Sequence, residues 1–588
     1  MAARVLARTS AARAKFAFYF AAVLALGLLL KLVHVQIVKG AEYARDAQDQ
    51  RRAHLDLFGR RGNIFDRDGA VLVRSMPTQS VYASTDAIPR SADARAKLAV
   101  ILHRDPRALD RELHGHDGYR LIERKIGSET AARIRALDIP GIDVVPEETG
   151  ARFAPAGRLA STVIGFVGIE DNGLDGAEYA FDAILRGSSG RMNFEADQSG
   201  RPIPYAPTTV VSSAHPGRSI ALTIDSYLQF EAERTIAAAV KKYSALSGTA
   251  IVMDPWTGEI LALANVPDFE PTHFSRYPAD ALRDRAVMDA YEPGSTFKLI
   301  TAAAALQSGR VGADSRFFAR DTLEVGGRTI HNAEDGFMAG TSGTESLEDI
   351  IAYSHNVGAA EVGMAIGKSA LFAGIRSFGF GDLTHIELPG ENPGIVNPPA
   401  EWSGSSLATI SFGHGISVTP IAMLRAYAAI ANGGMLVRPR VLSALYEPGG
   451  RLIYRYHTEI EGRAITQQTA ATLRRFLRAV VVRGTGNPTA QIPGYTTAGK
   501  TGTAQVVENG RYLPGAYIAS FIGMIPAGHP RYVILVKVDR PRGEIYGSLV
   551  AAPVFAQLGR AAMLHAAVFP DPRLLPKPSP SPAAKNKR

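Results

Sequence analysis

The 588-residue sequence contains no cysteine. That excludes disulfides, a thiol nucleophile, C-x-x-C redox chemistry and every cysteine-ligated zinc or iron–sulfur site. It leaves the compartment open, because a chain without thiols is indifferent to redox. No Walker loop and no dinucleotide fingerprint is present, so no cofactor is expected. Fourteen histidines occur, among them His331, His355 and His414, but none falls in an H-E-x-x-H or comparable spacing. They read as structural rather than metal-binding. A basic stripe is also missing. The net charge is +9, yet Arg4, Arg8, Arg13 and Lys15 give the first fifteen residues +4, and the stretch from Asp571 onward carries another +4. The body between them is left at +1, and nucleic acid is not an expected partner.

Only one stretch is long and apolar enough to cross a bilayer. Phe16 to Leu30 carries no charged or strongly polar side chain, and the run resumes from Leu32 to Val38. Lys31 falls near one end, where its ammonium can snorkel to the interface. The cations precede the span, which predicts a cytoplasmic amino terminus and an extracytoplasmic remainder. No small-x-small cleavage site follows, so a retained single-pass anchor is expected rather than a signal peptide. Residues 41–58 are charged and helix-favouring and read as a stalk.

The body divides by pattern. In Arg60–Val73, RRGNIFDRDGAVLV, the Asp68-Gly69 pair between apolar stretches predicts strand, turn, strand. Up to about residue 210 no nucleophile–base set stands out, and a structural module is expected. A second domain begins near Gly217. There Ser226 and Gln229 form an S-x-x-Q pattern read as a capping box, opening a helix with Leu228, Ala232, Ile236, Ala239 and Tyr243 on one face. TAIVMD (249–254) and EILALANV (259–266) predict a hairpin, and ASFIGMI (519–525) with RYVILVKV (531–538) a second. Strands at both ends of the domain with helical sequence between them imply an α+β fold with one antiparallel sheet. From Pro570 the tail holds six prolines by Pro582 and ends in lysines and arginine, a composition expected to be disordered.

Three short motifs carry chemistry. In YEPGSTFK (291–298), Ser295 and Lys298 stand three apart on a helix that Ser295 would open, within mutual reach. A serine needs a base beside it, and a desolvated lysine loses its proton readily enough to be one. Ser354-His355-Asn356 places a hydroxyl and an amide two residues apart. Lys500-Thr501-Gly502-Thr503 opens a strand whose lysine and threonines suit a carboxylate, with Gly502 leaving room for a ligand against the backbone. Singly, these read as a surface pair, a helix cap and an ordinary strand. Together, in this order and separated by 59 and 146 residues, they match the serine acyl-transfer set S-x-x-K, S-x-N, K-T-G.

On these residues the chain closely resembles class B penicillin-binding proteins. Further stretches carry the likeness, among them RGNIFDRDG (61–69), VMDPWTGEILALANVPDFEP (252–271), SFGHGISVTP (411–420) and YGSLVAAPVF (546–555). The resemblance implies a cytoplasmic tail (1–15), a transmembrane anchor (16–38), a non-catalytic mixed α/β pedestal or dimerisation-like domain (39–210) and a transpeptidase domain (211–569). The last would have an antiparallel sheet flanked by helices and an all-helical subdomain, followed by the tail (570–588). It implies Ser295 as the acylated nucleophile, Lys298 as base, and Ser354 and Asn356 as proton relay and positioning groups. Lys500, Thr501, Gly502 and Thr503 would bind the terminal carboxylate of a D-Ala-D-Ala stem peptide, with the Ser295 and Thr503 N–H groups as oxyanion hole. β-Lactams would acylate the same serine. Peptidoglycan, a membrane-embedded glycosyltransferase and divisome proteins are the implied partners, and the inner membrane the implied location. YEPGSTFK and the asparagine of the second motif look more like the cell-division branch than the elongation branch. No segment resembles a glycosyltransferase module, and no cell-wall-binding repeats follow, which fits a Gram-negative-like layout. A β-lactamase and a non-enzymatic sensor or scaffold are the rival readings; the three motifs supply no base for deacylating water, and their intactness speaks against a scaffold.

Overall fold

The apolar run near the start is helical throughout. In the computed structural model, which describes residues 2–57, 59–84, 88, 92–114, 119–195, 209–332, 343–508 and 510–575, helix α1 spans Ala2–Val33 and a π-helical turn, His34–Val38, follows. The stretch Ala11–Val38 is long and apolar enough to cross a membrane, and none of it is buried. Phe16, Phe20, Leu24 and Leu28 all lie open, which in water would be an unstable surface. One further helical stretch, Gly547–His565, passes the same length and composition test, but more than half of it is buried in the protein.

The chain forms two compact units, each discontinuous in sequence. One comprises Met1–Gly59, Thr78–Glu148 and Gly187–His215; the other comprises Arg60–Pro77, Thr149–Arg186 and Pro216–Arg588. In the first, strands Arg52–Leu57, Gly190–Glu195 and Thr209–Ser212 form an antiparallel sheet. Val81, Leu98, Leu109, Ile122 and Ile134 build a separate small core there.

In the second unit the Arg60–Val73 reading is met by a short strand, Ile64–Phe65, antiparallel to the strand that begins at Val71. Asp66 shapes the turn: its Oδ1 accepts from the N–H groups of Asp68 and Ala70. Ile64–Phe65 also pairs in parallel with Ser219–Leu222. Helix α2 (Ser226–Lys242) follows. Its cap is Asp225, whose carboxylate accepts from the N–H groups of Tyr227 and Leu228, and not Ser226 as the S-x-x-Q pattern implied. A carboxylate answers the positive helix end better than a hydroxyl, and Ser226 Oγ instead donates to Asp66 at 2.6 Å. Gln229 is equally diverted, its amide bonding both the N–H and the C=O of Leu263 at 2.8 Å.

Strands β1 (Ser247–Met253) and β2 (Ile260–Val266) form the first hairpin. Helices α3 (Lys298–Gln307), α4 (Leu347–Tyr353), α5 (Asn356–Ser377), α6 (Pro420–Ala431) and α7 (Gln467–Arg483) come next. Strands β3 (Ala498–Glu508), β4 (Arg511–Ile525) and β5 (Tyr532–Asp539), then helix α8 (Ala552–His565), complete the set. The sheet is antiparallel, ordered β2-β1-β5-β4-β3, so that segments at both ends of the domain share it. Strand alternation sorts its side chains into two cores. Ala250, Val252, Ile534 and Val536 pack with Leu228 of α2 and Phe555 of α8. Ile251, Met253, Val533 and Leu535 pack with Ile300 of α3 and Leu424 of α6. Helix α3 is buried continuously from Lys298 to Ala305, as expected of a helix apolar all round. The α+β layout is thus present. Pro570–Leu575, placed in the disordered tail by composition, is tied down: Asp571 N donates to Gly494 O, and Pro572–Leu574 makes a 3-10 turn. Residues 576–588 lie outside the described residues.

Candidate active site

Pro293 and Gly294 turn the chain into a 3-10 helix, Gly294–Phe297, that continues as α3. Gly294 has φ +54°, and a Cβ there would come within 3.1 Å of Ala504 in β3. Glycine therefore lets the Ser295 turn press against that strand. The turn is fixed from behind. Gly294 N donates to Gly413 O at 3.1 Å, and Tyr427 Oη of α6 donates to Thr296 O at 2.8 Å.

Ser354 caps α4 in the left-handed conformation, φ +66°, a strained setting for a residue with a Cβ. Its carbonyl and Oγ both accept from Lys298 Nζ, the latter at 3.2 Å. Lys298 is 1% exposed. Among the described residues its ammonium is committed to Ser354, and Ser295 Oγ has no hydrogen bond to it. Asn356 opens α5, but its amide donates to His331 O at 2.9 Å rather than holding Lys298.

The third motif lies on β3, the edge strand. Lys500 is fully buried, with Nζ 3.3 Å from Thr501 O and 3.4 Å from Thr501 Oγ1. Thr501 shares a 2.7 Å hydrogen bond with Thr485 beyond α7, and Thr503 Oγ1 accepts from Gly547 N at 3.1 Å. Gly502 is small for a different reason from the one the motif offered. A Cβ there would stand 2.4 Å from Ser520 Oγ and 2.9 Å from Thr296 Cγ2. The space it leaves is filled by the Ser295 turn and by β4, not by room for a ligand.

Ser295, Ser354, Asn356, Thr501 and Thr503 line one cleft of about 610 Å³, with His331, His355, His414, Tyr546 and Gly547 among its other walls. No aspartate or glutamate lines it among the described residues. The two lysines are buried close by. Burial drives the Lys298 ammonium well below its usual range, the Lys500 charge adds to this, and Glu345 opposes it. Burial alone takes Lys500 down to about 7. A lysine brought toward neutrality in this way can accept a proton, whereas a charged one can hold an anion. His414, half-buried near Lys298, is pushed down to about 4, desolvation first and the Lys298 charge second, and is neutral at physiological pH.

Sequence reasoning passed over two parts of this arrangement. Glu345 sits behind the second motif in close contact with His355 Nδ1, and Thr485 braces Thr501. Neither has a short-range motif to announce it. His414, in SFGHGISVTP, is read from the sequence only as a structural histidine. Among the described residues, no three histidines and carboxylates cluster as a metal site.

The penicillin-binding protein transpeptidase domain model matches residues 248–559, and the penicillin-binding protein dimerisation domain model matches 57–222. The first covers more than half of the chain. Stage V sporulation protein D of Bacillus subtilis is 34% identical over 570 residues, covering 95% of this chain and 86% of that protein. The chain belongs to the class B penicillin-binding proteins. Peptidoglycan D,D-transpeptidase FtsI of Escherichia coli is 32% identical over 559 residues, covering 93% and 91% of the two chains. Among solved structures, penicillin-binding protein 3 of Mycobacterium tuberculosis, complexed with aztreonam, aligns with a TM-score of 0.66 and 28% identity over 89% of this chain and 99% of that one. As a class B penicillin-binding protein the chain carries the family's three motifs at the 3-10 turn that enters α3, at the junction of α4 and α5, and on β3.

Proposed function

We propose that this penicillin-binding protein is a peptidoglycan D,D-transpeptidase working through an acyl-enzyme on Ser295. Ser295 Oγ attacks the carbonyl carbon of the penultimate D-Ala as Lys298 takes its proton. The tetrahedral oxygen is held by the Ser295 and Thr503 N–H groups. Collapse breaks the peptide bond, and the departing D-Ala amine receives the proton through Ser354. An amine from a neighbouring stem peptide then attacks the ester, closing the cross-link and freeing Ser295. The donor's terminal carboxylate is held by Lys500, Thr501 and Thr503, and Asn356 orients the donor amide once it turns from His331.

The observation that carries this reading is the buried Lys298, hydrogen-bonded to Ser354 at the back of the cleft that Ser295, Ser354, Thr501 and Thr503 share. The three motifs supply no base of their own for a deacylating water, which hydrolysis needs. β-Lactams are the expected inhibitors. The test is mass spectrometry after penicillin treatment: one stable adduct on Ser295 is expected, absent from Ser295→Ala. Rapid release of hydrolysed penicillin, or an adduct that survives the substitution, would end the proposal.

The reading extends to topology and role. Residues 16–38 anchor the chain once, with the amino terminus in the cytoplasm, residues 39–210 form the pedestal and 211–569 the transpeptidase domain. The likeness of YEPGSTFK to the division branch points to septal synthesis alongside a membrane-embedded glycosyltransferase and divisome proteins. Depletion is expected to give filaments, and round cells would assign elongation instead.

A further inference from the structure

Gln467, Ala471, Arg474, Arg478 and Val481 follow one another along α7 at steps of four, three, four and three residues, so they form a single stripe. Three cavities of about 410, 440 and 330 Å³ lie along it. The first two share Arg474 and Gly528, and the last two share Arg478 and Thr496, which makes one continuous groove. At about 1.5 Å of rise per residue it runs about 20 Å. None of the cleft residues described above lines it.

Its charge is one-sided. Among the described residues no aspartate or glutamate lines any of the three cavities, whereas Arg463, Arg474, Arg475, Arg478 and Arg573 do. Arg475 is paired with Glu348 and Arg573 with Asp571. The other three lack a carboxylate among the described residues. Arg463 donates to the Gly433 and Ile465 carbonyls, Arg474 donates to Ile430 O at 3.0 Å, and Arg478 stands exposed. Guanidinium groups spaced along a partly desolvated wall favour a ligand with carboxylates along its length. At one end Trp256 is 39% exposed, its indole N–H held by Pro530 O at 2.8 Å, so its ring is fixed in place as an apolar platform.

We propose that this groove binds an anionic glycan strand: a length of peptidoglycan with a sugar ring on Trp256 and stem-peptide carboxylates on Arg474 and Arg478. The identity of the polymer rests on the transpeptidase reading. A membrane surface fits less well, because lipid binding calls for a convex basic face with apolar side chains to insert. The chain's own tail is a poor occupant: the residues after Leu575 include Lys577, Lys585, Lys587 and Arg588 and no acid. Holding the polymer at a second place would raise the effective concentration of stem peptides at the cleft.

The test uses the full chain in detergent, with the cleft first acylated by penicillin, sedimented with purified peptidoglycan sacculi. Wild type is expected to bind, to release as salt is raised, and to lose binding to sacculi whose carboxylates have been amidated. R474E/R478E is expected to bind at least tenfold more weakly, R474K/R478K to keep most of the affinity, and W256A to lose part of it. Fluorescent-penicillin labelling of the unblocked variants is expected to match wild type. Should the double variant fail to fold, R478E alone decides, since Arg478 is exposed. Equal sedimentation of wild type and R478E overturns the proposal, as does binding that survives amidation. Tighter binding, through the same arginines, to phosphatidylglycerol vesicles overturns it in favour of a lipid surface. Absence of penicillin label from wild type would count against the transpeptidase reading, while the sacculus result would still report on the groove.

Discussion

Lys298, Lys500 and Lys537 are all buried, yet only Lys537 has a carboxylate within hydrogen-bonding distance among the described residues, Asp539 at 2.6 Å. Lys500 has only a neighbouring carbonyl and hydroxyl, and burial lowers it to about 7. Unfolded lysine titrates near 10.4. Between the two values the unfolded chain binds more protons, so stability rises with pH from about 7 toward about 10 and is lowest below 7. Lys500→Met removes a buried charge that nothing neutralises. It is expected to stabilise the protein at pH 6 by about 1–3 kcal/mol, with the gain fading by pH 10, while penicillin acylation falls sharply. Thermal unfolding at the two pH values checks this, and an offset that does not vary with pH would refute the account. Lys298 gives the second test. As a base it works above its lowered pKa, so acylation should rise with pH through that value. Glu345 opposes the lowering. Glu345→Gln should therefore move the acid limb of the acylation profile to lower pH, read from stopped-flow rates across pH.

Elements deliver the site by close approach, and glycines permit it. Gly502 on β3 faces Thr296 and Ser520, and Gly413 faces Gly294, where an added Cβ would stand 2.2 Å from the Gly294 carbonyl oxygen. Gly502→Ala is expected to push β3 away from the Ser295 turn, cost about 1–3 kcal/mol and slow acylation more than tenfold. A control at Gly528, where nothing lies within 4 Å of a built Cβ, should alter neither. Unchanged stability and acylation in Gly502→Ala would refute the close-approach account. Much at this scale was legible. Short, nearly continuous apolar runs joined by turn residues marked β1, β2, β4 and β5, and an i, i+3 serine–lysine pair marked the start of α3. What stayed hidden depends on competition or on distance. Ser226 could not be told from Asp225 as the cap until Asp66 was seen taking the serine hydroxyl. Asn356 turned to the His331 carbonyl, a partner that no local pattern names. Glu345 precedes His355 by ten residues, with the whole of α4 between them, and Thr485 reaches Thr501 only because α7 returns beside β3.

At the scale of the whole molecule, the stability of the unit that carries the cleft depends on segments remote in sequence from the motifs. Arg60–Pro77 and Thr149–Arg186 belong to the same compact unit as the cleft, and a buried ionic network joins them. Arg61 donates to Glu178 Oε2 and Asp182 Oδ1, both at 2.6 Å, and to the carbonyls of Asp171 and Glu178. Arg152 holds the other oxygen of Glu178. Glu178 is buried, so taking away one cation leaves a carboxylate short of its counter-charge in a low-dielectric place. Such losses cost about 3–5 kcal/mol even where the intact pair adds little net stability. Arg61→Leu is therefore expected to lower the melting temperature of the catalytic unit by several degrees. Arg67→Leu breaks only a looser pair, to Glu259 at 3.5 Å, and should cost under about 1 kcal/mol. Because Arg61 contacts none of the cleft residues, the folded fraction of Arg61→Leu should acylate with penicillin at close to the wild-type rate. Melting curves and penicillin labelling on one preparation separate the possibilities. A melting temperature equal to that of Arg67→Leu would mean that Arg152 alone neutralises Glu178, and a lost acylation rate with unchanged melting would tie Arg61 to the cleft itself.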